Sequence, residues 1–145
     1  LSAMIRGDSF ADTGPLARLT ARYITEEVLE KVAAEHRKGR RLFIGTTNLD
    51  AQRPVVWDMG AIASSDAPGR LELFRKVLLA SASIPALFPP QYIDVELDGE
   101  TFQEMHVDGG VTRELFLYPI GLRLLELRER LGVRRDETSV YLLVN

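Results

Sequence analysis

Asp108 is the residue whose neighbours best equip it for chemistry. It stands in "EMHVDGGVTRELFLYP", residues 104–119, at the end of an apolar-leaning run and directly before Gly109 and Gly110. A carboxylate at a strand end can accept a proton from a nucleophile, hold a metal, or simply open a turn, and paired glycines let a second backbone approach closely. On spacing alone D-G-G is also the composition of an ordinary turn. The histidines add little. His36 and His106 stand alone, with no HExxH spacing, so no metal site is expected. His36 falls on a helix stripe and reads as a core or boundary residue. His106 alternates away from Met105 and Val107 and reads as a structural or surface residue, outside any triad. No GxxxxGK[ST] or GxGxxG cradle is present, and Asp108 would repel an anion approaching the N–H groups of Gly109 and Gly110. Nor is there a G-x-S-x-G, in which glycines permit the sharp turn that exposes a serine. The nearest stretch is "GDSFA", residues 7–11, with Ala11 in place of the second glycine. Ser9 therefore reads as a loop or capping residue, and Ser64, Ser65, Ser81 and Ser83 lack the elbow as well.

The chain that must position these residues has 145 positions, 46% hydrophobic and 27% charged, enough for the core of one domain. A net charge of −3 gives no basic footprint for nucleic acid, and the absence of cysteine removes thiol chemistry, disulfides and cysteine metal sites. No run reaches the ~18 apolar residues of a spanning helix, and no signal peptide is seen. The sequence opens on "LSAMIRGD" without an initiator methionine and stops at "SVYLLVN", which reads as a strand. The expectation is a fragment cut at both ends.

Residues 1–14 read as loop. Pro15 suits the first turn of a short helix. A second helix is expected from Thr25, which can cap it, with Glu26 and Glu27 at the positive end of the dipole and Ile24 and Leu29 as a hydrophobic staple. Gly39 should stop it. "RLFIGTT" (41–47) and "PVVW" (54–57) read as strands, and "LELFRKVLLASASI" (71–84) as a deeply buried helix, apolar on most sides. Pro85, Pro89 and Pro90 end helical structure there. "QYIDVEL" alternates, with Ile93, Val95 and Leu97 on one face, and Asp98-Gly99 is a hairpin turn into "TFQEMHV". A helix over 119–131 and a strand over 138–144 complete the pattern. Helices interleaved with strands point to an α/β layered sheet with a hairpin inserted.

Four stretches taken together are more specific than any one alone. "ADTGPLARLTARYIT" (11–25), "IGTTNLDAQRPVVWDMGAIA" (44–63), "LLASASIPALFPP" (78–90) and "VDGGV" (107–111) resemble, in order, the patatin-like phospholipase family in its bacterial branch. The resemblance runs over nearly the whole chain. It implies a three-layer α/β/α sandwich, of which this chain would be the C-terminal portion of a single domain (1–145). It also implies hydrolysis of lipid acyl esters by a serine paired directly with an aspartate, without metal or cofactor. The aspartate of the family's D-G-[GA] motif matches Asp108, with Gly109 and Gly110 as its supporting glycines. The family's serine elbow and glycine-rich oxyanion loop have no match here, and both are expected upstream of Leu1.

In that role Asp108 needs a dry setting to raise its proton affinity, which Met105 and Val107 are expected to help supply. Leu87 and Phe88 read first as core and second as lining of an acyl pocket. Thr46, Thr47 and Asn48 are expected to brace the site. The implied partners are a lipid or acyl-ester substrate and peripheral contact with a membrane, with export an open option for an intact protein. An upstream segment or another chain would be needed to cover the sheet edge. The competing reading is a non-catalytic binding or scaffolding module on the same fold.

Overall fold

The computed structural model describes residues 12–111. It contains helices α1 (Gly14–Tyr23) and α2 (Glu26–Arg37), strands β1 (Phe43–Asn48) and β2 (Arg53–Asp58), and helices α3 (Met59–Ser64) and α4 (Arg70–Ser81). Strands β3 (Gln91–Leu97) and β4 (Glu100–Asp108) follow, with a 3-10 turn at Gly109–Val111. The loop expected before residue 12, Ser9, the helix over 119–131 and the strand over 138–144 lie outside the described residues.

Local chemistry accounts for most of the boundaries. Pro15 lies in the first turn of α1, where a missing N–H costs nothing. Thr25 occupies the N-cap of α2 in extended conformation, but its hydroxyl makes no capping bond. The staple carries that end instead: Leu29 is fully buried and Ile24 packs against the same cluster. At the other end Gly39 has φ of 96°. Gly39 N–H donates to His36 C=O at 3.0 Å and Arg40 N–H to Glu35 C=O at 3.1 Å, the pair of bonds that closes a helix through a left-handed glycine. Asp98 and Gly99 both have positive φ (54° and 81°), as a two-residue hairpin turn demands.

The four strands form one antiparallel sheet in the order β2-β1-β4-β3. The hairpin expected as an insertion is thus part of the sheet, and β4 is an interior strand. Register places Ile44 opposite Trp57, Thr46 opposite Asp108 and Asn48 opposite His106, so these six share a face. That face meets the helices: Ile44, Trp57 and Ile93 pack with Leu29, Ala33, Met59, Phe74 and Val77. Helix α4 buries Phe74, Val77 and Ala80, while Leu71, Leu73 and Leu78 are half-buried. It is therefore covered along one stripe and not on all sides, because Arg70 and Arg75 use their length to tie helices together. Arg75 donates to the C=O of Ala21 and Ile24 at the end of α1, and Arg70 to Ala63 C=O, Glu26 and Glu30. Along β3 only Ile93 is fully buried. Leu97, expected on the same inward face, is 64% exposed because the hairpin's outer half runs past the helices.

Candidate active site

Asp108 is the last residue of β4 and is held at three points. Its N–H donates to Ser83 C=O at 3.0 Å, from the segment that leaves α4. Its C=O accepts from Thr47 Oγ1 at 3.1 Å, across the β1–β4 pair. Its carboxylate Oδ1 accepts from Gly110 N–H at 2.9 Å, which closes the turn. The described residues make no other hydrogen bond to the carboxylate, and the side chain is half-buried. The geometry thus fixes the backbone of a carboxylate firmly and leaves one of its oxygens for a further donor.

The two motifs that seemed separate in sequence meet here. Ser83 is 1% exposed and spends its hydroxyl on Leu79 C=O at 2.8 Å, while its own carbonyl anchors Asp108. Thr46, Thr47 and Asn48 are buried and face the end of β4, and the loop after them returns to the same strand. Asp50 accepts from Met105 N–H at 2.7 Å, and Leu49 N–H donates to Met105 C=O at 2.8 Å. Asn48 Oδ1 caps its own loop through Ala51 N–H, whereas its buried Nδ2 has no partner among the described residues. Ser83 and Asp108 are distant in sequence, so no local pattern could have signalled the link.

Two expectations need correction, those for Met105 and Val107 and for His106. Gly109 and Gly110 lie outside the left-handed region, which the described glycines Gly39, Gly69 and Gly99 occupy. A Cβ at Gly110 would lie 3.5 Å from Asp108 Oδ1, an ordinary contact, so this turn as it stands does not demand glycine there. Met105 and Val107 do not surround the carboxylate, because strand alternation sends them to the opposite face; Val107 is buried there. The same alternation puts His106 on the face of Asp108. Far from being a surface residue, His106 is fully buried, with Nδ1 2.9 Å from Thr46 Oγ1 and Nε2 3.2 Å from Glu104 Oε2. Thr46 Oγ1 also accepts from Trp57 Nε1 at 2.8 Å, and the Trp57 ring meets His106 edge-on at 5.4 Å. The period-2 count from Asp108 was the signal that could have found this cluster.

Other sites fall elsewhere. Leu87 is 48% exposed and Phe88 half-buried, in a turn where Ala86 takes a φ of 71°. Two clefts, of about 290 and 520 Å³, open on the helical side, one beside Val32 and Leu42 and one beside Leu73 and Ile93. Neither is lined by Asp108, Leu87 or Phe88. His36 lies against Gly60, with Asp58 Oδ1 3.7 Å from its Nδ1. Among the described residues no group of three or more His, Asp or Glu is placed to hold a metal ion, and no helix is long and apolar enough to cross a membrane.

An α/β domain with an aspartate pinned at a strand end, its next two residues glycine, is the class that fold and site define. The sequence model of the patatin-like phospholipase family matches residues 1–119. The chain belongs to that family, a family of lipid acyl hydrolases, and its helices and four-stranded sheet fit the family's α/β fold. No curated protein matches the chain.

Proposed function

We propose that this chain supplies the carboxylate half of a Ser-Asp dyad that hydrolyses lipid acyl esters, with the serine on a segment upstream of Leu1. What supports the reading is the hold on Asp108: N–H, C=O and one carboxylate oxygen are engaged, and the second oxygen has no hydrogen bond from the described residues. A base that must meet a hydroxyl from another segment needs that combination of a fixed backbone and a spare acceptor.

In this mechanism the serine oxygen attacks the acyl carbonyl while its proton passes to Asp108. The carbon–oxygen bond to the leaving alcohol then breaks, and Asp108 returns the proton to that alcohol. Water attacks the acyl-serine with Asp108 again accepting a proton, and release of the fatty acid restores the hydroxyl. The oxyanion donors come from the upstream glycine-rich loop.

The test is hydrolysis of a short p-nitrophenyl ester by the full-length protein. Asp108→Asn should lower the rate by at least about a hundredfold, the usual scale of a general base, while chelators leave it unchanged. Full activity in Asp108→Asn would sink the dyad. Complete absence of hydrolysis in the full-length protein would favour the alternative, a non-catalytic binding or scaffolding module.

A further inference from the structure

The dyad leaves unused a fully buried histidine on the same face as its aspartate. Its neighbours dictate where its proton sits. Trp57 Nε1–H can only donate, and it does so to Thr46 Oγ1 at 2.8 Å. At the far end an ionised Glu104 carboxylate can only accept, and it lies 3.2 Å from His106 Nε2. Between these fixed ends Thr46 Oγ1 and His106 Nδ1 are 2.9 Å apart. One assignment uses every polar hydrogen: Trp57 gives to Thr46, the hydroxyl of Thr46 to Nδ1, and Nε2–H to Glu104. An imidazolium would turn Nδ1–H onto the Thr46 oxygen and strand the hydroxyl hydrogen at a residue with no exposure. Glu104 and Asp108 are the charged groups flanking His106 on its own strand; the facing residues on β1, β2 and β3 are Thr46, Asn48, Trp57 and Gln91, all uncharged.

The relay sits where the sheet is thinnest. Strand β1 pairs with β2 over six residues and β3 with β4 over seven, but β1 and β4 share three pairs: Thr46–Asp108, Thr47–Val107 and Asn48–His106. Asp108 is at the end of that short ladder: Ser83 C=O and Thr47 Oγ1 hold its backbone, and its side chain lies beside that of its cross-strand partner Thr46.

We propose that His106, as a neutral Nε2–H imidazole in a one-way relay from Trp57 to Glu104, is a positioning residue that locks Thr46 and so fixes its cross-strand partner Asp108. The proposal rests on the dyad reading for its catalytic consequence, but the tautomer does not.

Two measurements separate the two claims. Side-chain nitrogen NMR of the 145-residue chain at neutral pH should show Nε2 of His106 protonated and Nδ1 bare; an imidazolium or an Nδ1–H tautomer overturns the relay. In the full-length protein, Thr46→Val should lower kcat about tenfold with KM unchanged, and Thr46→Ser, which keeps the hydroxyl, should stay within about twofold of the parent. Equal loss in both variants, or none in either, overturns the positioning role. Should Thr46→Val not fold, His106→Leu, which fills much of the same space but offers Thr46 no acceptor, must reproduce the kcat loss. If Asp108→Asn retains activity, the dyad fails and the NMR result stands by itself.

Discussion

Gly110 separates what the turn needs from what its partner needs. A Cβ there meets Asp108 at an ordinary distance, and the residue's φ is not in the left-handed region. Gly110→Ala should therefore change stability by no more than about 0.5 kcal/mol, as exposed substitutions without strain do. If the glycine exists to let the nucleophile's segment approach, the same variant should lose ester hydrolysis by at least about tenfold. Thermal melting and p-nitrophenyl ester turnover on the same sample check both halves, and full turnover would mean that the glycine serves no approaching chain. The residue scale also shows where sequence reading succeeds. Asp108 stands out because a carboxylate followed by two glycines is a local pattern. Its actual supports, Ser83 C=O and Thr47 Oγ1, come from two other segments, and no local rule reaches them. His106 was within reach through alternation alone, but burial among Thr46, Trp57 and Glu104 depends on pairings that the sequence does not state.

At the scale of elements, α2 and α3 meet through one glycine. Helix α3 begins at Met59 with Asp58 as its N-cap, and Gly60 lies so close to α2 that a Cβ would sit 2.1 Å from His36 Nδ1. Gly60→Ala should cost about 1–3 kcal/mol, the usual penalty of overpacking. Adding His36→Ala should recover part of it, so a double-mutant cycle by urea unfolding should give less than the sum. Strict additivity would show that the two helices do not meet through this contact. A second tie is electrostatic. The Arg70 guanidinium beside Glu30 holds that carboxyl below its ordinary value of 4.5, chiefly through their hydrogen bond. A carboxyl depressed in the folded state contributes fully above its unfolded value, and the contribution is lost as pH falls through the folded one. Arg70→Gln should therefore flatten the acid side of a melting-temperature profile, most visibly at low salt, because the carboxylates are exposed. An unchanged acid limb would show that the tie contributes nothing.

The elements themselves were mostly legible, each for a reason that stays local. Gly39 and Asp98-Gly99 impose positive φ, Pro15 suits a first turn, and the alternation of "QYIDVEL" marks a strand. What was not legible depends on long-range partners. Thr25 makes no capping bond while the staple residue Leu29 is buried, and α4 carries charged residues among its apolar ones because Arg70 and Arg75 reach out to other helices. That β4 is interior, and that its pairing with β1 is short, follows from the whole sheet and not from either strand.

For the molecule as a whole, family membership and the hold on Asp108 support the proposed dyad, in which Asp108 meets a serine from an upstream segment. Among the described residues β2 and β3 are the sheet's edges, and Pro54 lies in β2, the kind of position edge strands tolerate. The dyad proposal places further chain upstream of Leu1, so without that segment the 145-residue chain should self-associate in sedimentation through a sheet edge; a clean monomer would favour the module reading. The most direct measurement of the central claim is intact mass after treatment with a fluorophosphonate, which reacts with activated serines. With the proposed dyad, no adduct is expected on the 145-residue chain and a single adduct on the full-length protein, at a serine upstream of Leu1. An adduct within the 145 residues would contradict it.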